Sequence, residues 1–158
     1  MDIISKANFL KVDFLELLKC LSPQTKGSWG VLTAQQMIEH FADSIKIASG
    51  RKENIILITP TEALPQMIHF LRSEKPFKEN TKNALMPDSP VPAKFEIMEE
   101  SIREVENEMF HFFSFFERQP NATTLNPFFG NLTYDDNILL LHKHALHHLV
   151  QFGLWNYR

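Results

Sequence analysis

Apolar residues recur along this chain at intervals of three and four, the spacing of one helical face, and they do so in four stretches. Leu10, Phe14, Leu17, Leu18 and Leu21 predict a first helix over residues 3 to 21, stopped by Ser22-Pro23 because proline disfavours helical backbone in the residue before it. A second helix starts at Thr33, where Gln36 completes a capping box and Leu32 and Met37 are spaced as a hydrophobic staple. It runs to Ser49, with Gly50 as its stop and Met37, Phe41, Ser44 and Ala48 as its inner stripe, widened by Ile38 and Ile45. Phe95, Met98, Ile102, Val105, Met109, Phe112 and Phe116 mark a third helix, closed by Pro120. A fourth begins at Thr133, with Asp135 and Asp136 at its amide-rich end. Ile138, Leu141, Ala145, His148 and Phe152 form its inner face, and Gly153 ends it.

Residues 51 to 93 lack such a repeat. Ile55 to Ile58 has strand composition but no partner strand in the sequence, so it reads as part of a crossover. A short helix starts at Pro60 or Thr61 and runs through Leu71, after which Pro76, Pro87, Pro90 and Pro92 break the chain. The pattern predicts an all-α fold over residues 1 to 158: one four-helix bundle domain with a long crossover between helices two and three. The second and fourth helices are both approached through Gly-x-Leu-Thr, at Gly30 to Thr33 and Gly130 to Thr133, which predicts similar turns before each.

Composition narrows the function classes. Hydrophobic residues make up 44% of the 158 and charged residues 22%, the balance of a globular chain, and 5 glycines argue against a turn-rich β fold. Sixteen basic against 19 acidic residues, with no basic run, give a nucleic-acid partner no electrostatic support. No run of 18 apolar residues and no secretory pattern occurs, so a cytoplasmic location without a membrane partner is expected. Cys20 is the only cysteine and excludes an intrachain disulfide; its apolar neighbours predict a half-buried small residue. Phe110, Phe113 and Phe115 lie around the third-helix seam and predict burial of its C-terminal half on a wide arc; the apolar surplus there predicts a homodimer through that helix, with cover by the proline-rich crossover as the alternative.

Candidate chemistry concentrates in the histidines. His144 and His148 stand four apart, on one face of the fourth helix, and His40 lies beside the inner stripe of the second. Two imidazoles from one helix and one from another can make a facial three-nitrogen site suited to zinc, nickel, cobalt or ferrous iron. Polar core histidines or a surface cluster are the competing readings of the same residues. His142 faces away from His144, His147 is an alternative ligand or a neighbour, and His69 and His111 have no partner at ligand spacing. Asp43, three residues after His40, is placed to orient an imidazole or bind an incoming group, with an exposed helix acid as the equal alternative. There is no HExxH, GxSxG, phosphate-binding or dinucleotide-binding motif, and Glu108-x-x-His111 is a single copy of a signature that di-iron bundles carry twice.

The stretches WGVLTAQQMIEHFADSIKIASG and NPFFGNLTYDDNILLLHKHALHHLVQFGL resemble the DinB/YfiT-like superfamily of metal-dependent enzymes, over nearly the full chain. The resemblance implies a four-helix bundle with a long crossover between helices two and three. It also implies a metal site of His40, His144 and His148, holding zinc or nickel. Characterised members of that superfamily include enzymes that use low-molecular-weight thiols, so the resemblance further implies a thiol cosubstrate and an electrophilic small-molecule substrate. A metal-dependent hydrolase and a non-catalytic metal- or partner-binding bundle are the alternatives.

Overall fold

The computed structural model describes residues 1–157. Helices α1 (Ile3–Lys11), α2 (Asp13–Leu18), α3 (Ala34–Ala48), α4 (Leu64–Arg72), α5 (Met98–Arg118) and α6 (Tyr134–Gln151) are joined by long connections, with a short hairpin of β1 (Thr124–Asn126) and β2 (Gly130–Leu132) before α6. The protein is an all-α bundle of packed helices. Its main core draws on four stretches of chain: α1 packs on α6, α2 on α5, α3 on both α5 and α6. Phe14, Phe41 and Phe112 are fully enclosed there, and each such ring contributes roughly 1.5–3 kcal/mol by leaving water.

The first predicted helix is two. Val12 departs from helical backbone (φ −123°, ψ −70°), although its amide still reaches Asn8 O at 3.0 Å and its carbonyl still accepts from Glu16 at 3.1 Å. The kink lets α1 lie along α6 while α2 turns onto α5, two neighbours that the periodicity could not distinguish. Beyond Leu18 the chain tightens through bonds of Cys20 N to Leu17 O and Leu21 N to Leu18 O, 3.1 and 3.2 Å. That turn leaves Cys20 exposed rather than half-buried.

The starts of α3 and α6 follow the expected chemistry. Thr33 and Thr133 each accept from the amide three residues on at 3.3 Å, and Gln36 returns the bond to Thr33 N at 2.9 Å. Gly30 and Gly130 take nearly the same left-handed conformation, φ 77° and 76°, so the repeated approach turns are alike in backbone as well as sequence. Of the expected α3 stripe, Met37, Ile38, Phe41, Ile45 and Ala48 are buried, while Ser44 is only partly so and bonds back to His40 O at 3.2 Å.

The third predicted helix starts at Met98 instead of Phe95, and α3 supplies the reason. Glu39 accepts from the amides of Lys94 and Phe95 at 2.7 and 3.2 Å, and from Ser101 Oγ at 2.8 Å. Gln35 Nε2 holds Phe95 O at 2.8 Å and Gln36 Nε2 holds Val91 O at 3.0 Å. The Phe95 carbonyl, which a helix begun at Phe95 would offer to Glu99, is held by α3 instead, and Ile97 is extended at φ −123° and ψ 144°. Phe113 and Phe115 pack against the core, leaving Phe110, 70% exposed, outside it.

Ile55 to Ile58 forms no strand. Ile58 donates to Pro127 O at 2.8 Å, which ties the crossover to the hairpin loop, and a 3₁₀ turn at Thr61–Ala63 leads into α4 as expected. The hairpin pairs Thr124 with Leu132 and Asn126 with Gly130. Asn126 Oδ1 caps the loop by accepting from Phe128 and Phe129 at 2.9 and 3.1 Å. Thr124 Oγ1 donates to Ala48 O at 2.8 Å, and Asn137 Nδ2 lies 3.0 Å from Thr124 Oγ1, so the hairpin joins the end of α3 to the start of α6. Leu71, Phe129 and Leu132 make a second small core between α4, the hairpin and α6, closed by the bidentate pair of Arg72 with Asp136 at 2.9 and 3.1 Å. Among the described residues no helix is long and apolar enough to cross a membrane.

Two outcomes follow. Glu39→Ala frees the 94–95 backbone and should lower stability by about 2 kcal/mol, within the range of charge-assisted hydrogen bonds, with faster amide exchange at Lys94 and Phe95. Unchanged denaturation and exchange would remove Glu39 from this role. His142 is 7% exposed against Phe9, its ring centroid 5.2 Å away. Burial first, then the charge of Lys6, pushes it from 6.5 down to about 4, with Glu74 opposing. The unfolded chain therefore takes up a proton below pH 6.5 that the folded chain refuses until about pH 4. Stability of the chelator-treated protein should be highest above pH 6.5 and fall toward pH 4. His142→Leu should flatten that fall in pH-dependent melting; an identical profile would contradict the assignment.

Candidate metal centre

His40 sits in the middle of α3 between buried Ile38 and Phe41, and His144 and His148 stand one turn apart on α6, between buried Leu141, Ala145 and Leu149. The apolar stripes that pack α3 against α6 therefore carry the three imidazoles to one another. Their ring centroids are 5.1 Å (His40–His144), 5.5 Å (His40–His148) and 4.6 Å (His144–His148) apart. One ring nitrogen from each falls within 4.8 Å of the other two, and Nε2 of His144 and His148 are 2.8 Å apart.

This donor set fits a divalent late-transition ion. Nitrogens about 2.0–2.1 Å from a common tetrahedral zinc lie roughly 3.3 Å from each other, inside the span of 2.8 to 4.8 Å found here. The rings are also held neutral, as ligands must be. Burial lowers His40, and burial with the neighbouring His148 and His40 lowers His144 far more. His148 is pushed down to about 3, first by burial and then by His40. Each neutral ring keeps one nitrogen lone pair, and its tautomer decides which nitrogen carries it.

The other candidates separate cleanly. His147 is half-buried and lies beside the centre, its ring 5.3 Å from His148, 5.8 Å from Trp29 and 6.0 Å from Phe77. It belongs to the wall rather than to the converging three. His142 faces α1, and His69 and His111 are exposed. Asp43 is paired with Lys52 at 2.5 Å, so its carboxylate acts on His40 only through its charge. Glu108 of the isolated Glu-x-x-His lies 3.6 Å from Arg51, away from the imidazoles.

Three residues at the centre escaped the sequence reading. Gln151 Oε1 is 2.8 Å from His148 Nδ1, and its Nε2 donates to Trp29 O at 2.7 Å. The spacing of Gln151, three after His148 on one helix, was the available signal for it. Trp29 carried a weaker one, the flanking glycines. Phe77, 6.3 Å from the His144 ring, arrives from the crossover and left no trace in any periodicity. Two clefts, of about 50 and 360 Å³, lie elsewhere, one around His142 and the other at the end of α3 beside the hairpin. No known protein family, curated protein or solved structure matches this chain.

Proposed function

We propose that this protein is a metal-dependent enzyme in which His40, His144 and His148 hold one divalent ion, zinc or nickel, between α3 and α6. The observation that carries this reading is the convergence of three imidazole nitrogens within 4.8 Å of one another, one from α3 and two from α6. When bound, such an ion supplies Lewis acidity, lowering the pKa of a thiol or water that reaches it. The residues of the chain bind and orient the ion, while Phe41 and Phe77 lie 5.2 and 6.3 Å from the His144 ring.

The resemblance of the WGVLT and NPFFGNLT stretches supports a DinB-like four-helix bundle with its long crossover between the second and third main helices, and a transferase joining a low-molecular-weight thiol to an electrophilic small molecule. A homodimer is the remaining part of the proposal and rests on Phe110, 70% exposed on α5. A bundle that holds its metal without turnover is the alternative reading of the same three histidines.

Metal analysis after purification, followed by calorimetric titration of the apo protein, tests the binding claim. His144→Ala and His40→Ala, each checked for folding by circular dichroism, should lose about 100-fold or more in affinity, beyond the 10–100-fold typical of an outer partner. His147→Ala should stay within about tenfold. Wild-type affinity in folded His40→Ala and His144→Ala would overturn the site. For the reaction, metal-loaded protein screened with several thiols and electrophiles should consume both together; turnover without thiol would select hydrolysis, and none with any pair the non-catalytic reading.

A further inference from the structure

The polar groups behind His148 form a chain whose direction is fixed by its far end. The Trp29 carbonyl can only accept, so the Gln151 atom 2.7 Å from it is the amide nitrogen. Gln151 Oε1 consequently faces His148 Nδ1 at 2.8 Å. An amide oxygen cannot donate, so Nδ1 carries the hydrogen of this neutral ring and Nε2 presents its lone pair. That bare Nε2 lies 2.8 Å from His144 Nε2, which must then be the donor of the pair. We infer that Gln151 is the positioning residue of this centre: it sets His148 as the Nδ1–H tautomer and aims its Nε2 lone pair at the point where the three histidines converge.

The surroundings are shaped to keep that amide still. Gln151 is 5% exposed, and its own carbonyl accepts from Ser28 N at 2.8 Å. A Cβ on Gly27 would come within 2.6 Å of Gln151 Cγ, and one on Gly30 within 2.8 Å of Nε2 at a left-handed φ of 77°. The loop that carries Trp29 is thus moulded against Gln151, and its two glycines are explained by that contact. Two consequences attach to the histidines. His148 cannot take the other tautomer without setting Nδ1 lone pair against amide oxygen. His144, neutral throughout, must pass its hydrogen from Nε2 through solvent to Nδ1 before its Nε2 can serve as a ligand.

Long-range ¹⁵N–¹H correlation spectra of the chelator-treated protein read the tautomers without any metal. His148 should show a protonated Nδ1 and bare Nε2, and His144 the reverse. In Gln151→Leu the His148 signature should become that of mixed tautomers, and zinc affinity by titration should fall about 10–100-fold. Gly27→Ala, which keeps the amide but displaces it, should change the His148 signature in the same sense. A wild-type His148 protonated at Nε2 would overturn the inference. So would folded Gln151→Leu with both the wild-type signature and wild-type zinc affinity. The affinity arm rests on the metal reading above, but the tautomer arm does not: wild-type protein that fails to bind zinc would defeat that reading, while the spectra still decide the role of Gln151.

Discussion

The inward register of α6 is the constraint on which this molecule depends. Ile138, Leu141, Ala145 and Leu149 are buried at most 1% exposed, and they turn the helix so that His144 and His148 face α3. The same register sends His142 to α1, Asp136 to Arg72 and Asn137 to the hairpin. A rotation of α6 by one position would expose the apolar stripe and disperse the imidazoles together. Fold and candidate site are therefore one commitment of the same helix.

Such a commitment carries a cost. Grouping imidazoles where burial holds them neutral removes polar atoms from water with few protein partners to replace it. Part of the cost is met locally by the Nε2 pair of His144 and His148 and by the Gln151 amide, with a backbone carbonyl at the end of the line. An ion bound there would be held by three ring nitrogens at once and would add its binding free energy to that of the fold.

Much of this was legible in the sequence because it is written in periodicity and caps. The α3 and α6 boundaries followed from Thr33, Gln36, Thr133 and Asp136, whose roles are local, and the His144–His148 pair from a spacing of four. What escaped was set by distant partners. The kink at Val12 answers to two helices far along the chain, and the late start of α5 to the α3 side chains Glu39 and Gln35. The hairpin was hidden because three-residue strands are too short to show alternation, although Asn126-Pro127 and Gly130 mark its turn. Cys20 was misplaced for a similar reason: its apolar neighbours lie in a helix that ends two residues before it.

The central claim is that three imidazoles, and not the thiol of Cys20 or a carboxylate cluster, form the metal centre. X-ray absorption at the zinc edge, on protein carrying one equivalent of zinc, examines it most directly. The account predicts a first shell of nitrogen and oxygen at about 2.0–2.1 Å with the outer-shell scattering of three imidazole rings. A sulfur shell near 2.3 Å, or scattering from fewer than two imidazoles, would contradict it.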